Sequence, residues 1–254
     1  MSGQIRYTDH GHWAEVVLSN PAKFNAMSRS MWRQLREVFE TIQAQSALRM
    51  VLLRGEGAHF CSGGDISEYP SFRFEETALR EFHENDVWGG LSAILNVDVP
   101  VVADIRGNCM GAGVEIASCC DVRWAHVQAR FGAPIAKLGF PMAPREAALV
   151  GAALGDMTAR EMLLLAQVLD APTLVQRGFL SACEDAPALD ARGAEVVQAV
   201  LGLSPQAARL NKQTLRSLRE GVRPDFGAQP YAYANSPEHR EGIAAFLDKR
   251  APRF

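Results

Sequence analysis

VPVVADIRGNCMGAGVEIASCCDVRWAHVQARFGAPIAKLG, residues Val99 to Gly139, is the stretch that decides the fold. It opens as an apolar strand over Val99–Ile105 and then turns through Gly107, Gly111 and Gly113. A short helix follows, carrying one acidic residue, Glu115, among Val114, Ile116 and Ala117. Glycines directly before a helix leave backbone N–H groups free to face a ligand. A carboxyl group in so apolar a stretch is paired, strained or chemically employed. The combination suggests a site that polarises an oxygen and moves a proton.

Outward from this block, the periodicity alternates between two values. Residues 4–19 read as two short strands around a turn at His10-Gly11, and HWAEVVLS alternates as a half-buried strand should. Asn20-Pro21 ends it. From Ser28 the period changes: Met31, Leu35, Val38, Phe39 and Ile42 share one helical face. Arg49–Arg54 is a short buried strand that runs into a glycine-rich loop, GEGAHFCSGGD, and residues 75–96 read as a helix. Strand and helix in alternation predict an α/β fold with parallel pairing. Beyond Pro144 the pattern is mostly helical, with candidates at 145–154, 158–167, 190–202, 205–218 and 237–248. The last has Ser236 as N-cap, Pro237 at its first position and Glu238 in its first turn.

The chain has 254 residues, 48% hydrophobic and 22% charged, enough for a substantial core. A net charge of −3 without any Lys/Arg block argues against a nucleic-acid partner. No apolar run reaches the roughly 18 residues of a membrane span, and MSGQIRYTDHGHW lacks the basic start and apolar centre of a signal peptide. Five cysteines without a CxxC pair, two of them adjacent at Cys119-Cys120, suit neither a disulfide framework nor a zinc site, so a cytoplasmic location and no metal are expected.

Two glycine turns are candidate parts of a site. Gly63-Gly64 in HFCSGGD directly follows a strand: it either presents an N–H to a bound carbonyl oxygen or is simply a tight turn. Gly111-Ala112-Gly113-Val114-Glu115 misses the dinucleotide fingerprint, because the third glycine would fall at Ile116. The N–H of Ala112 at a helix start would make the second half of an oxyanion hole, and the alternative is close strand–helix packing. Cys61 and Ser62 read as packing and turn residues. The six histidines form no ligand set, and only His59 stands beside a candidate turn. Arg145-Glu146 reads as the opening of a helix, with Glu146 favoured by the dipole.

Four segments in order resemble the crotonase, or enoyl-CoA hydratase/isomerase, family: LSNPAKFNAMS (18–28), VLLRGEGAHFCSGGDI (51–66), the central block above, and REGIAAFLDKRAPRF (240–254). The resemblance implies a spiral of ββα turns over 1–190 and a C-terminal helical region over 191–254 that builds a homotrimer or hexamer. It implies an acyl-CoA thioester as substrate, with no cofactor beyond the coenzyme A moiety. The thioester oxygen would lie on the N–H groups of Gly64 and Ala112, with Glu115 as acid/base. Ala22, Lys23, Asn25 and Ala26 would border the coenzyme, and Phe246 and Lys249 would contact its nucleotide end, often from a neighbouring subunit.

The chain departs from that family in two segments. The second glutamate of the hydratases, in a segment reading FGxPE, falls here on Phe131-Gly132-Ala133-Pro134-Ile135, and Ile135 can neither give nor take a proton. The family's PGxGG segment aligns with Met142-Ala143-Pro144-Arg145-Glu146, which makes Glu146 a candidate auxiliary carboxylate. The expected activity is that of an enoyl-CoA hydratase-like lyase using Glu115, whose pKa should rise in an apolar pocket. The alternatives are a sister reaction (isomerisation, decarboxylation or thioester hydrolysis) and an acyl-CoA binder without turnover. Phe72, Phe74, Phe82 and Trp88 fall where the acyl pocket is expected, with Phe82 and Trp88 read as helix core.

Overall fold

The computed structural model describes residues 3–219 and 230–254. Strands β1 (Gln4–Asp9) and β2 (Trp13–Ser19) form the expected antiparallel hairpin, whose turn is closed by the Gly11 N–H donating to Asp9 Oδ1 at 2.7 Å. A 3₁₀ turn at Pro21–Lys23 leads to α1 (Arg29–Ala44). Ser28 caps this helix, its Oγ accepting from the Met31 N–H at 3.2 Å. Met31, Trp32, Leu35, Phe39 and Ile42 are all buried, as their spacing requires. Each such side chain contributes about 1.5–3 kcal/mol by leaving water.

β3 (Met50–Gly55) pairs in parallel with β2, and a 3₁₀ turn follows at Ile66–Ser71. The helix expected at 75–96 is one rod in three parts: α2 (Glu76–Glu81), a π-helical segment (Phe82–Val87) and α3 (Trp88–Asn96). In the π segment the Trp88 N–H reaches back five residues to the His83 carbonyl. Arg29 and Arg33 of α1 grip the buried Asp86 there, at 2.8 and 2.7 Å. Further along, Gly90 lets α3 seat against α1: a Cβ there would lie 2.9 Å from Trp32 Cε3.

β4 (Val101–Ile105) is buried throughout. The chain then coils through β5 (Asn108–Met110), α4 (Ala112–Cys119), β6 (Val122–His126), β7 (Arg130–Gly132), a 3₁₀ turn (Pro134–Leu138), α5 (Pro144–Leu154) and α6 (Asp156–Leu164). β8 (Val168–Asp170), α7 (Ala171–Gln176), β9 (Ala182–Glu184), α8 (Ala186–Leu201), α9 (Pro205–Arg219), a 3₁₀ turn (Ala232–Asn235) and α10 (Pro237–Leu247) complete it. One sheet runs β1-β2-β3-β4-β6-β9, parallel after the first hairpin; a second runs β5-β7-β8. The second layer continues by a bridge into the loop after β3, so that Cys61, Cys109, Phe131 and Leu169 pair in succession. Repeated β-β-α turns thus stack the loops after β3 and β5 side by side.

Three helix expectations shift for local reasons. The helix expected at 158–167 ends at Leu164, because Ala166 takes a left-handed φ of 51° and the chain enters β8. The helix expected at 190–202 begins at Ala186, where the Asp185 carboxylate accepts from the Ala188 N–H at 3.1 Å. α7 was not expected; Asp170 caps it through the Thr173 N–H at 2.9 Å.

α8 crosses position 190 and packs on the far side of the main sheet, with Leu189 and Val197 against Met50, Val102 and Trp124. α9 is tied to the core by Lys212, whose Nζ donates to the Val99 carbonyl and Asp121 Oδ2, both at 2.7 Å. Leu210, Leu215 and Leu218 on α9 and Ile243, Phe246 and Leu247 on α10 are exposed. No described helix is long and apolar enough to cross a membrane.

Candidate active site

The two glycine turns meet. Gly63 holds φ at +116° and Gly111 at +48°, values that disfavour any side chain. A Cβ on Gly111 would lie 3.6 Å from the Cα of Gly63, which sets the two loops in contact. Met27 pairs with Gly64 through the Gly63 carbonyl and the Asp65 N–H, each at 2.8 Å, so the Gly64 N–H is turned away from that ladder. Ala112 is the first residue of α4, where an N–H has no acceptor within the helix. Neither N–H has a protein acceptor among the described residues, and both residues line one cavity of about 260 Å³.

Glu115 borders the same cavity from the first turn of α4. Protein surrounds it except where it faces the cavity, and its carboxyl has no hydrogen-bond partner among the described residues. Burial, reinforced by the charge of Glu146 and partly offset by Arg73, pushes its pKa up to about 8, so at neutral pH it holds its proton. Ile135 lines the wall, leaving an apolar surface where a second carboxyl was in question.

Glu146 is 2% exposed in the first turn of α5. It does not border the cavity directly. Its Oε1 lies 3.1 Å from His83 Nδ1, and His83 does border the cavity. In the tautomer that carries its proton on Nδ1, this contact fixes the ring and leaves Nε2 as the free nitrogen. Arg145 is turned outward instead, to Glu84 at 3.1 Å and over Trp88.

A larger cavity, about 500 Å³, lies between the sheet and α8. Its charged walls satisfy one another, Arg106 with Asp104 and Asp190, and Arg54 with Glu15. It contains neither glycine turn nor an unpaired acid. His59 lines that cavity, and its Nδ1 accepts from the Asn108 N–H at 3.1 Å, a structural contact.

Of the remaining expected residues, only Phe82 lines this cavity. Ala22 and Lys23 are exposed, and Lys23 Nζ pairs with Asp65 Oδ2 at 2.6 Å. Asn25 is wholly buried: its amide donates to the carbonyls of Glu56 (2.9 Å) and His59 (2.7 Å), and its Oδ1 accepts from the Asn20 N–H. With Ala26, also buried, it fixes a loop that packs on the glycine turn, the Ser62 N–H donating to the Phe24 carbonyl at 3.0 Å. Phe246 and Lys249 are exposed at the end of α10 and do not join the cavity of their own chain. Of the aromatics, Phe82 is buried and forms cavity wall, Phe72 is buried beside it, and Phe74 is 86% exposed.

A family model for enoyl-CoA hydratase/isomerase matches residues 10–254. The chain belongs to the enoyl-CoA hydratase/isomerase family. It is 27% identical over 244 residues to the probable enoyl-CoA hydratase echA8 of Mycobacterium bovis, covering 94% of this chain and 93% of that protein. It is 29% identical to the mitochondrial enoyl-CoA hydratase domain-containing protein 3 of Danio rerio, covering 93% and 82%. An enoyl-CoA hydratase/carnithine racemase from Magnetospirillum magneticum superposes with a TM-score of 0.94 at 31% identity, covering 98% of this chain and 94% of that one. The crotonase fold expected from the sequence is therefore the fold of this family member.

Three cavity residues of this enoyl-CoA hydratase/isomerase family member were not singled out from its sequence: Tyr69, Arg73 and His83. Tyr69 abuts the turn, since a Cβ on Gly64 would fall 2.1 Å from its hydroxyl oxygen. The only signal in the sequence is that all three lie in the aromatic-rich stretch before β4.

Proposed function

We propose that the chain is an enoyl-CoA hydratase-like lyase in which Glu115 and a His83–Glu146 pair divide the proton handling. One observation carries this reading: two N–H groups without an acceptor among the described residues, the Glu115 carboxyl and an imidazole hydrogen-bonded to Glu146 border a single cavity. In this scheme the thioester oxygen of a 2-enoyl-CoA accepts from the N–H groups of Gly64 and Ala112. Water loses a proton to His83 Nε2 as its oxygen bonds to C3. The C2=C3 electrons move toward the thioester, and the developing oxyanion rests on the two N–H groups, each such donor contributing about 3–4 kcal/mol. Glu115 then delivers its proton to C2, giving the 3-hydroxyacyl-CoA, and solvent returns the proton from His83 to Glu115. An acid is needed at C2, and the raised pKa of Glu115 supplies one at neutral pH.

In this reading the loop Ala22–Ala26, held by Asn25, borders the coenzyme. A homotrimer or hexamer would cover the exposed leucines of α9 and bring Phe246 and Lys249 of one subunit to a neighbour's coenzyme. Light scattering tests the assembly, with a monomer refuting it. Five free thiols suit a reducing cytoplasm.

The test of the chemistry is hydration of crotonyl-CoA, followed by loss of the conjugated-enoyl absorbance. Glu115→Gln and His83→Gln are each expected to lower the rate about 10²–10⁴-fold while the protein still binds crotonyl-CoA. Binding by the wild type without hydration would refute the lyase reading in favour of a sister reaction or of a binder. Full activity in His83→Gln would refute the divided proton handling.

A further inference from the structure

Arg73 is the cation that the scheme above leaves idle. Its guanidinium carbon lies 3.7 Å from the ring centroid of Phe140 and 4.5 Å from that of Tyr69, so two aromatic rings hold it in the wall of the cavity that Glu115 borders. Among the described residues its side chain makes no hydrogen bond and no ion pair. Most other arginines of the chain do: Arg29 and Arg33 reach Asp86, Arg106 reaches Asp104, and Arg177 reaches Glu161. Stacked aromatic faces stabilise a guanidinium and fix its plane, and they leave its N–H fork without acceptors.

The acids in and beside the cavity do not fill that role. Asp65 is already bound by Lys23 and Ser67. Glu146 is held by His83, and Glu115 lies beyond ion-pair distance and keeps its proton at neutral pH. The remaining wall of the cavity is largely apolar, from Phe82, Val87, Ile135, Leu138 and Met142. A planar, pre-stacked fork at one point of an otherwise apolar acyl pocket is matched by a planar anion carried on the acyl chain.

We propose that Arg73 is a specificity-determining residue that receives a carboxylate on the acyl group, so that the preferred ligands are coenzyme A monoesters of dicarboxylic acids. This inference rests on the acyl-CoA reading of the same cavity. The bidentate contact would orient the chain with its thioester toward Gly64 and Ala112, and would favour these ligands over plain acyl chains, which offer the half-buried fork no acceptor.

The test is equilibrium binding, by calorimetry, of saturated and unreactive ligands. The monoesters of succinate, glutarate and adipate with coenzyme A are compared with the unsubstituted acyl-CoA of equal length: butyryl, valeryl and hexanoyl. For at least one length the wild type is expected to bind the carboxylate ligand about tenfold or more tightly, as a charge-assisted bidentate pair allows. Arg73→Met should abolish that preference while binding the plain acyl-CoA within about twofold of wild type, which also shows that the variant is folded. Arg73→Lys should retain only part of it, because an ammonium cannot form the fork. Equal affinities in the wild type at every length, a preference that survives in Arg73→Met, or equal weakening of both ligands in that variant would overturn the role of Arg73 and leave the acyl-CoA reading standing. Failure of the wild type to bind any of the six ligands would overturn both.

Discussion

Replacing Glu115 by glutamine should remove activity and at the same time stabilise the fold, and the gain should depend on pH in a calculable way. The carboxyl faces the cavity from an otherwise enclosed position, has no hydrogen-bond partner among the described residues and feels the charge of Glu146, so its pKa stands at about 8 instead of the ordinary 4.5. Below 4.5 the folded and unfolded chains both hold this proton, and Glu115 is equivalent to a neutral isostere. Between 4.5 and about 8 the unfolded chain releases the proton and the folded chain keeps it, so folding stability falls as pH rises through that window. Each tenfold change in proton affinity corresponds to about 1.4 kcal/mol, which sets a ceiling of about 5 kcal/mol for the full loss. Water entering the cavity screens the charge, and a loss of about 2–3 kcal/mol is expected. Glutamine has the same shape and never ionises. Urea unfolding of wild type and Glu115→Gln at one fixed protein concentration, from pH 4.5 to pH 8.5, should therefore give curves that coincide at the acid end and separate by about 2–3 kcal/mol in favour of the variant at the alkaline end. A separation that stays constant across the range would refute the reasoning, because it would mean that Glu115 titrates alike in both states.

Glu146→Gln removes the charge that helps to raise the Glu115 pKa, so the alkaline limb of the hydration profile should move to lower pH; with the imidazole less firmly held, the maximal rate should fall about 10-fold to 100-fold. An unmoved limb would show that the two acids do not interact. Gly64→Ala drives a methyl to 2.1 Å from the Tyr69 hydroxyl, displacing the turn and lowering activity at least about tenfold by losing one donor; adding Tyr69→Phe should restore part of the rate, and no restoration would place the damage elsewhere. Asn25→Ala leaves two partly buried carbonyls without their donor and sets alanine at a left-handed φ of 61°, so urea unfolding should show a loss of about 3 kcal/mol, and a loss below about 1 kcal/mol would mean that water replaces the amide.

What could be read in the sequence follows from the range of the interactions involved. α1 was legible because Met31, Leu35, Phe39 and Ile42 repeat at the helical period behind a serine cap. The hairpin of β1 and β2 was legible because its alternation is local. The three-residue strands β5, β7, β8 and β9 are too short to carry a period, and their identity comes from partners far along the chain, as in the pairing of Phe131 with Cys109 and Leu169. Within the cavity, Gly64, Ala112 and Glu115 could be placed from loop and helix-start chemistry, and Ile135 from the family resemblance alone. His83 and Arg73 could not: nothing near His83 in sequence announces that Glu146, 63 residues later, will meet its ring. Glu146 read as an ordinary helix-opening acid, and it does open α5. Its burial against an imidazole is a tertiary fact.

The π-helical segment at Phe82–Val87 acts as a phase shifter. Positions three apart are neighbours on an α-helix, and the wider turn spreads them, so that Asp86 faces the arginines of α1 while His83 faces Glu146 on α5. Upstream and downstream halves of one rod are thereby indexed to different neighbours. Shortened by one residue, the rod would have to choose between seating Gly90 against Trp32 and aiming the imidazole at its carboxylate.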